Sequence, residues 1–310
     1  MIEVINLSKK FKQKTVVNNI NMYIEEGETV GLLGPNGAGK STTISMISSL
    51  LTPTSGDIQL FHESTLKNPQ ALRKILGVVP QEIALYPELS ALENLNFFAR
   101  INKLRGAELK KRVDEVLELI GLSDRRKDLV KTYSGGMKRR LNIGAALLHN
   151  PELIIMDEPT VGIDPQSRNY ILEAVRMLNK EKNMSVLYTS HYMEEVEFLC
   201  DRIYIMDHGE IIASGTKDEI KHILSSENTV EVRLERSSLQ FEEQVRQHDG
   251  ISSVTAKEST LTIIAPKGVN IFTIIYPISE SLGIHFQSIE VKTPTLEDVF
   301  LHLTGRTLRD

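Results

Sequence analysis

Short apolar runs alternate with stretches of helical periodicity from Met1 to about Thr216. Apolar runs of four to eight residues bounded by turn residues read as strands, and apolar positions three and four apart read as helices. The pattern predicts strands at Ile2–Leu7, Asn19–Ile24, Thr29–Leu33, Asp57–Leu60, Leu76–Val79, Leu153–Met156, Ser185–Thr189 and Arg202–Asp207, with Glu210–Ser214 following a His208-Gly209 turn. Such alternation indicates an α/β domain. Between Pro87 and Leu148 the strand signal gives way to helices, at Ala91–Lys103, Gly106–Ile120 and Ser134–His149. A helical subdomain, about residues 87–150, is therefore inserted into the α/β core.

Near Leu224-Ser225-Ser226-Glu227-Asn228 the composition turns polar and a second unit begins. Thr229–Leu234 alternates as a half-buried strand does. A helix follows at Leu239–His248, strands at Ser252–Lys257 and Ser259–Ala265, a helix at Asn270–Leu282 and a strand at Phe286–Lys292. A last helix, Thr295–Leu303, closes behind Pro294. The order β-α-β-β-α-β predicts a small ferredoxin-like sandwich. The expected division is a domain of residues 1–225 and an α+β domain of residues 226–310.

The 310 residues suffice for one large and one small domain, and 41% hydrophobic content suits a globular core. No run reaches the ~18 apolar residues that span a bilayer, and Met1-Ile2-Glu3-Val4-Ile5 lacks a signal-peptide pattern. One cysteine, Cys200, excludes an internal disulfide framework and reads as a small core residue. A net charge of −5 argues against nucleic acid as the main ligand. The runs Lys9-Lys10 and Lys138-Arg139-Arg140 read as solvated faces or local phosphate neighbours.

Gly34-Pro35-Asn36-Gly37-Ala38-Gly39-Lys40-Ser41 matches the phosphate-loop pattern G-x-x-x-x-G-K-[ST] at every required position. A strand precedes it and a helix, read as Thr42 to Leu51, follows. Its glycines let backbone N–H groups turn onto phosphate oxygens, and the helix N-terminus adds positive potential. Lys40 supplies a charge for the β- and γ-phosphates, and Ser41 a hydroxyl for Mg²⁺. Leu153-Ile154-Ile155-Met156 delivers two carboxylates, Asp157 towards that metal and Glu158 towards an attacking water. In Tyr133-Ser134-Gly135-Gly136-Met137, Ser134 is a good N-cap and the two glycines expose N–H groups at a helix start, a second anion site.

These motifs, in this order, resemble the ATP-binding cassette (ABC) transporter family over residues 1 to about 216. Gly34–Ser41 matches its Walker A loop, Gln81 its Q-loop, Tyr133–Met137 its signature, Leu153–Glu158 its Walker B strand, Val161–Asp164 its D-loop and His191 its switch histidine. Met137 stands where the family usually has glutamine, and Tyr133 where it has leucine. The segment from Pro294 to Gly305 is similar to the end of drug- and polymer-exporter ATPases of the daunorubicin-resistance type.

The resemblance implies an ATPase using ATP and Mg²⁺. Glu158 would be the catalytic base, His191 would hold the γ-phosphate, and Gln81 would sense metal or water. Nucleotide would lie against Phe11, stacked on adenine, and against Gly34, Pro35, Asn36, Gly37, Ala38, Gly39, Lys40, Ser41 and Thr42. Ser134, Gly135 and Gly136 would close over ATP held by a second cassette, in a homodimer or heterodimer. Ser41, Gln81 and Asp157 would face the metal. The expected partner is an integral membrane permease, met at the cytoplasmic face of the membrane through Leu85, Tyr86, Pro87 and Leu95. Export is the expected direction; the alternatives are import, and a soluble cassette ATPase acting on nucleic acid or ribosomes.

Overall fold

The computed structural model describes residues 1–223, 227–292 and 295–305. Ser225, Ser226 and Pro294, used above as breaks, lie outside the described residues. The chain divides into two compact units, one comprising Met1–Lys217 and the chain from Leu303, the other Asp218–His302.

In the first unit, strands β1 (Ile2–Phe11) and β2 (Lys14–Ile24) form an antiparallel hairpin. With β4 (Ser55–Leu60) and β5 (Glu63–Ser64) they make a sheet of order β2-β1-β4-β5. The hairpin extends well past the expected strands. Bulges interrupt its register between Val4 and Leu7 and again up to Lys10, and Asn6, Lys12 and Asn19 take positive φ. Each bulge resets the inside–outside alternation, so the periodicity that marks a strand is lost.

A second sheet holds β3 (Thr29–Leu33), β6 (Leu76–Val79), β7 (Leu153–Met156), β8 (Ser185–Tyr188), β9 (Arg202–Asp207) and β10 (Glu210–Thr216) in the order β10-β9-β3-β8-β7-β6. Neighbours are parallel except β10, which runs against β9. β3, β7 and β8 are buried at every position, which is why they read as unbroken apolar runs. Helix α1 is Lys40–Ile47, beginning earlier and ending sooner than expected. Its core residues Ile44, Met46 and Ile47 join Ile2, Leu7 and Ile58 of the first sheet and Val30, Leu32 and Ile155 of the second. The phosphate loop thus rests on one continuous core.

After α2 (Pro69–Ile75) comes the helical insertion, α3 (Ala91–Ile101), α4 (Gly106–Leu119) and α5 (Gly135–Leu147). A capping box starts α3. Ser90 Oγ accepts from Glu93 N at 3.2 Å, and the Ser90 N–H donates to Glu93 Oε2 at 2.8 Å. Leu95, Val116, Leu117 and Leu141 pack a separate core between these helices. Leu95 is therefore no contact residue: it is fully buried, and Phe97 stands at the surface beside Tyr86 instead. Helices α6 (Pro165–Lys182) and α7 (Met193–Leu199) complete the α/β pattern, and α8 (Lys217–His222) begins the second unit.

The second unit contains β11 (Glu227–Leu234), α9 (Leu239–Arg246), β12 (Ser253–Lys257), β13 (Thr260–Pro266), α10 (Ile271–Leu282) and β14 (Phe286–Lys292), followed by α11 (Leu296–Thr304). Its antiparallel sheet has the order β12-β13-β11-β14, the ferredoxin-like arrangement. Val230, Val232, Ile263, Phe241 and Ile275 form its own core.

Candidate nucleotide site

β3, β8, β7 and β6 are parallel neighbours, so the segments leaving their carboxyl ends lie side by side. These segments are Gly34–Ser41, Thr189–His191, Asp157–Glu158 and Pro80–Gln81. Ligands of open parallel sheets bind at this edge. The ladder extends to the site itself: the Asp157 N–H donates to Val79 O and the Thr189 N–H to Met156 O, both at 3.0 Å.

The loop after β3 needs its glycines for different reasons. A Cβ on Gly34 would lie 2.3 Å from Met206 O. Gly39 has φ +110, and a Cβ there would meet Val16 O at 2.9 Å. Gly37 has φ +81 and open space, so its requirement is conformational. Lys40 is 6% exposed, and its ammonium donates to Gly34 O at 2.7 Å and Pro35 O at 3.3 Å. Burial lowers its pKa, opposed by the charges of Glu158 and Asp157. A buried ammonium that donates to carbonyls, with carboxylates nearby, is suited to a polyanion.

Asp157 stands beside this loop. Burial raises its pKa; a hydrogen bond from Thr189 opposes this, the charge of Glu158 adds to it, and Lys40 and a bond from Ser41 oppose it again. Thr189 ties the two carboxylate residues together. Its hydroxyl donates to Asp157 Oδ1 at 2.8 Å and accepts from the Glu158 N–H at 2.9 Å. Mg²⁺ takes one or two protein oxygens together with phosphate and water. The adjacent Ser41 hydroxyl and Asp157 carboxylate fit that donor set.

Glu158 is 6% exposed and has φ +49, a left-handed backbone that a non-glycine residue adopts at a cost. Both of its oxygens are held. Gln81 Nε2 donates to Oε2 at 2.7 Å, and His191 Nε2 donates to Oε1 at 2.6 Å. The three residues expected to be catalytic thus meet at one carboxylate. Burial opposes the ionised form, but the hydrogen bond and charge of His191, with the charge of Lys40, outweigh it and hold the Glu158 pKa below the usual range. Removing His191 leaves the burial penalty less opposed, so the pKa should rise. His191→Ala is therefore expected to shift the acid limb of the turnover–pH profile upward as well as lower the rate. Turnover measured across pH checks this; an unshifted limb would contradict it.

Ser134, Gly135 and Gly136 form the start of α5, where Ser134 Oγ accepts from the Met137 N–H at 3.2 Å. They gather against the Val161–Asp164 loop and the first turn of α6. A Cβ on Gly136 would stand 3.2 Å from Asp164 Oδ2, and one on Gly135 3.9 Å from Gly162 O. The two unusual residues of this motif are packing residues. Met137 lies against the helical core, and the buried Tyr133 donates its hydroxyl to Arg125 O at 2.6 Å. Phe11 sits at the end of the β1–β2 hairpin, 45% exposed, with the Lys9 ammonium 5.2 Å from its ring centroid.

Three residues went unread in the sequence. Thr189 is one. Glu195 is another, 2% exposed, its Oε2 accepting from Thr160 at 2.8 Å, Tyr188 at 2.9 Å and Ser190 at 2.6 Å. It joins the loop after β7 to the loop after β8. Its signal was a carboxylate between Met193 and Val196 on the buried side of α7. Arg139, in a run read as a solvated face or a local phosphate neighbour, is the third: it is 5% exposed.

Compared with known proteins, residues 17–161 match the family described as ABC transporter. The whole chain is 50% identical to the linearmycin resistance ATP-binding protein LnrL of Bacillus subtilis (strain 168), with 100% of each covered. The chain belongs to the ABC transporter family. It is an ATP-binding subunit of a transporter, an ATPase of the kind that works with a membrane permease. The likeness to the daunorubicin-resistance type spans the full length: the daunorubicin/doxorubicin resistance ATP-binding protein DrrA of Streptomyces peucetius is 34% identical over 100% of this chain and 94% of its own. Among solved structures, a dimeric post-hydrolysis state of the ATP-binding cassette MJ0796 bound to ADP and Pi resembles it with a TM-score of 0.63 and 31% identity. That match covers 70% of this chain and 98% of the other. Among the described residues, no helix is long and apolar enough to cross a membrane.

Proposed function

We propose that this ABC subunit powers export through a separate permease at the cytoplasmic face of the membrane, working as a head-to-tail dimer that closes on ATP. The observation that carries the reading is the meeting of Gln81 and His191 on Glu158, beside Lys40, Ser41 and Asp157. Export is supported by relatives named for resistance to linearmycin and to daunorubicin and doxorubicin. The permease contact is read onto Tyr86 and Phe97, both exposed and packed edge to face with centroids 4.9 Å apart. Asn94, fully buried, holds that loop by accepting from the Tyr86 N–H at 2.9 Å and donating to Tyr86 O at 3.0 Å.

The chemistry follows from the contacts. Lys40 leaves the carbonyls of Gly34 and Pro35 for the β- and γ-phosphates of ATP. Ser41 and Asp157 would hold Mg²⁺, which would neutralise phosphate charge. Glu158, kept ionised, takes a proton from the attacking water. Gln81 and His191 fix the direction of its carboxylate. The N–H groups at Ser134–Gly136 of the second subunit cover the same γ-phosphate.

Two alanine substitutions separate that lid from the fold. Gly135→Ala has room within its own chain. It should fold and bind ATP normally yet turn over about tenfold or more slowly, because its methyl group meets the partner's nucleotide. Gly136→Ala would put a methyl carbon 2.1 Å from Ser167 Oγ and 2.4 Å from Ser167 Cβ, so it should destabilise the chain itself. Melting temperature and turnover of both variants check this. Wild-type turnover in Gly135→Ala would remove the lid.

A further inference from the structure

Arg139 lies one and a half turns along α5 from the Ser134 cap, and its side chain points inward. Its Nη1 donates to Pro80 O at 2.8 Å and its Nη2 to Gln81 O at 2.6 Å. Three residues on, the buried Asn142 accepts from the Ala84 N–H through Oδ1 at 3.2 Å. One face of α5 therefore grips the backbone of the Pro80–Ala84 loop at three points. Two successive carbonyls held by one planar guanidinium fix the two peptide planes that flank the Gln81 Cα. The side chain leaving that Cα is the one whose amide holds Glu158.

We propose that Arg139 is a positioning residue that acts through Gln81 on Glu158. It ties the helix whose first residues face the second nucleotide to the base that deprotonates the water attacking the nucleotide held by the same chain. This rests on the reading of Glu158 as general base and of Gln81 as its holder. A helix transmits displacement along its axis with little loss over a distance of roughly 7–8 Å, five residues at 1.5 Å each. A shift of Ser134 towards a facing phosphate would carry the guanidinium, and with it the Gln81 backbone. Lysine is no substitute, because one ammonium does not reproduce the two-carbonyl fork.

A merely structural arginine would also satisfy two carbonyls, so the test is a double-mutant cycle. The full chain is prepared with Gln81→Ala, with Arg139→Ala, with Arg139→Lys and with Gln81→Ala combined in turn with each Arg139 substitution. Turnover at saturating ATP, the Kd for ATP and the melting temperature are measured. Gln81→Ala and Arg139→Ala should each lower kcat about tenfold with Kd changed less than about twofold, and the double variant should be no slower than Gln81→Ala alone. Arg139→Lys should fall between wild type and Arg139→Ala, and its cycle serves if the alanine variant does not fold. Losses that multiply to about a hundredfold in the double variant would overturn the proposal, as would a lowered melting temperature with unchanged kcat. Wild-type turnover in Gln81→Ala would overturn the reading of Gln81 beneath it, whereas additivity would overturn the Arg139 link alone.

Discussion

A chain carrying Glu158→Gln should bind ATP as the wild type does and hydrolyse it roughly 10²–10⁴-fold more slowly. The amide keeps the volume of the side chain but accepts no proton from water. It also disturbs the site in a specific way. Gln81 and His191 both donate to Glu158, one to each oxygen. An amide offers one acceptor and one N–H₂, so one of these contacts must change: either a donor faces a donor, or His191 Nε2 gives up its proton and accepts. Binding should survive, because Lys40, Ser41 and Asp157 are untouched. Single-turnover hydrolysis and equilibrium ATP binding, measured on the same preparation, separate the two effects. Hydrolysis near the wild-type rate would remove Glu158 from the base role.

Lys40→Ala should lose the nucleotide rather than the chemical step. Lys40 supplies the ammonium inside the phosphate loop, where it donates to Gly34 O and Pro35 O. At ~4 Å and an effective dielectric near 20, one unit-charge contact is worth about 4 kcal/mol. That corresponds to roughly a thousandfold in affinity, enough to abolish productive binding at ordinary ATP concentrations. The substitution also removes a cation that holds the Glu158 pKa down and opposes the rise at Asp157, so both carboxyls should titrate higher. Titration of the variant with ATP, followed by heat or by nucleotide fluorescence, reads the loss directly. Wild-type affinity would sink the assignment of the loop.

Much of this site was legible because its parts are contiguous strings with local causes. Gly34–Ser41 declares itself by spacing, and the buried strands β3 and β7 before and behind it read as apolar runs. Glu158 could be named as a carboxylate just beyond an apolar strand, and Gln81 and His191 through the resemblance of their motifs. Their meeting at one carboxylate belongs to the sheet order, which places β6, β7 and β8 side by side. What stayed hidden is long-range. Thr189 and Glu195 are ordinary residues until the fold supplies their partners. Arg139 lies in a basic run read as a solvated face or a local phosphate neighbour, and only the approach of Pro80 and Gln81 takes it inside. Leu95 was misplaced for the converse reason: α3 has two apolar faces, and sequence alone does not say which one meets α4 and α5. The second unit was easier, since its strands and helices alternate in the order that makes a four-stranded antiparallel sheet.

The claim at the centre of this account is that ATP closes two cassettes on each other and hydrolysis parts them. The mass in solution of the Glu158→Gln chain, measured by light scattering at matched protein concentrations, tests it most directly. The expected result is a monomer without nucleotide, a dimer with ATP and a monomer with ADP, with Ser134→Arg in the same chain weakening the ATP dimer. A Glu158→Gln chain that binds ATP tightly yet remains monomeric, alone and in membranes containing its permease, would contradict it.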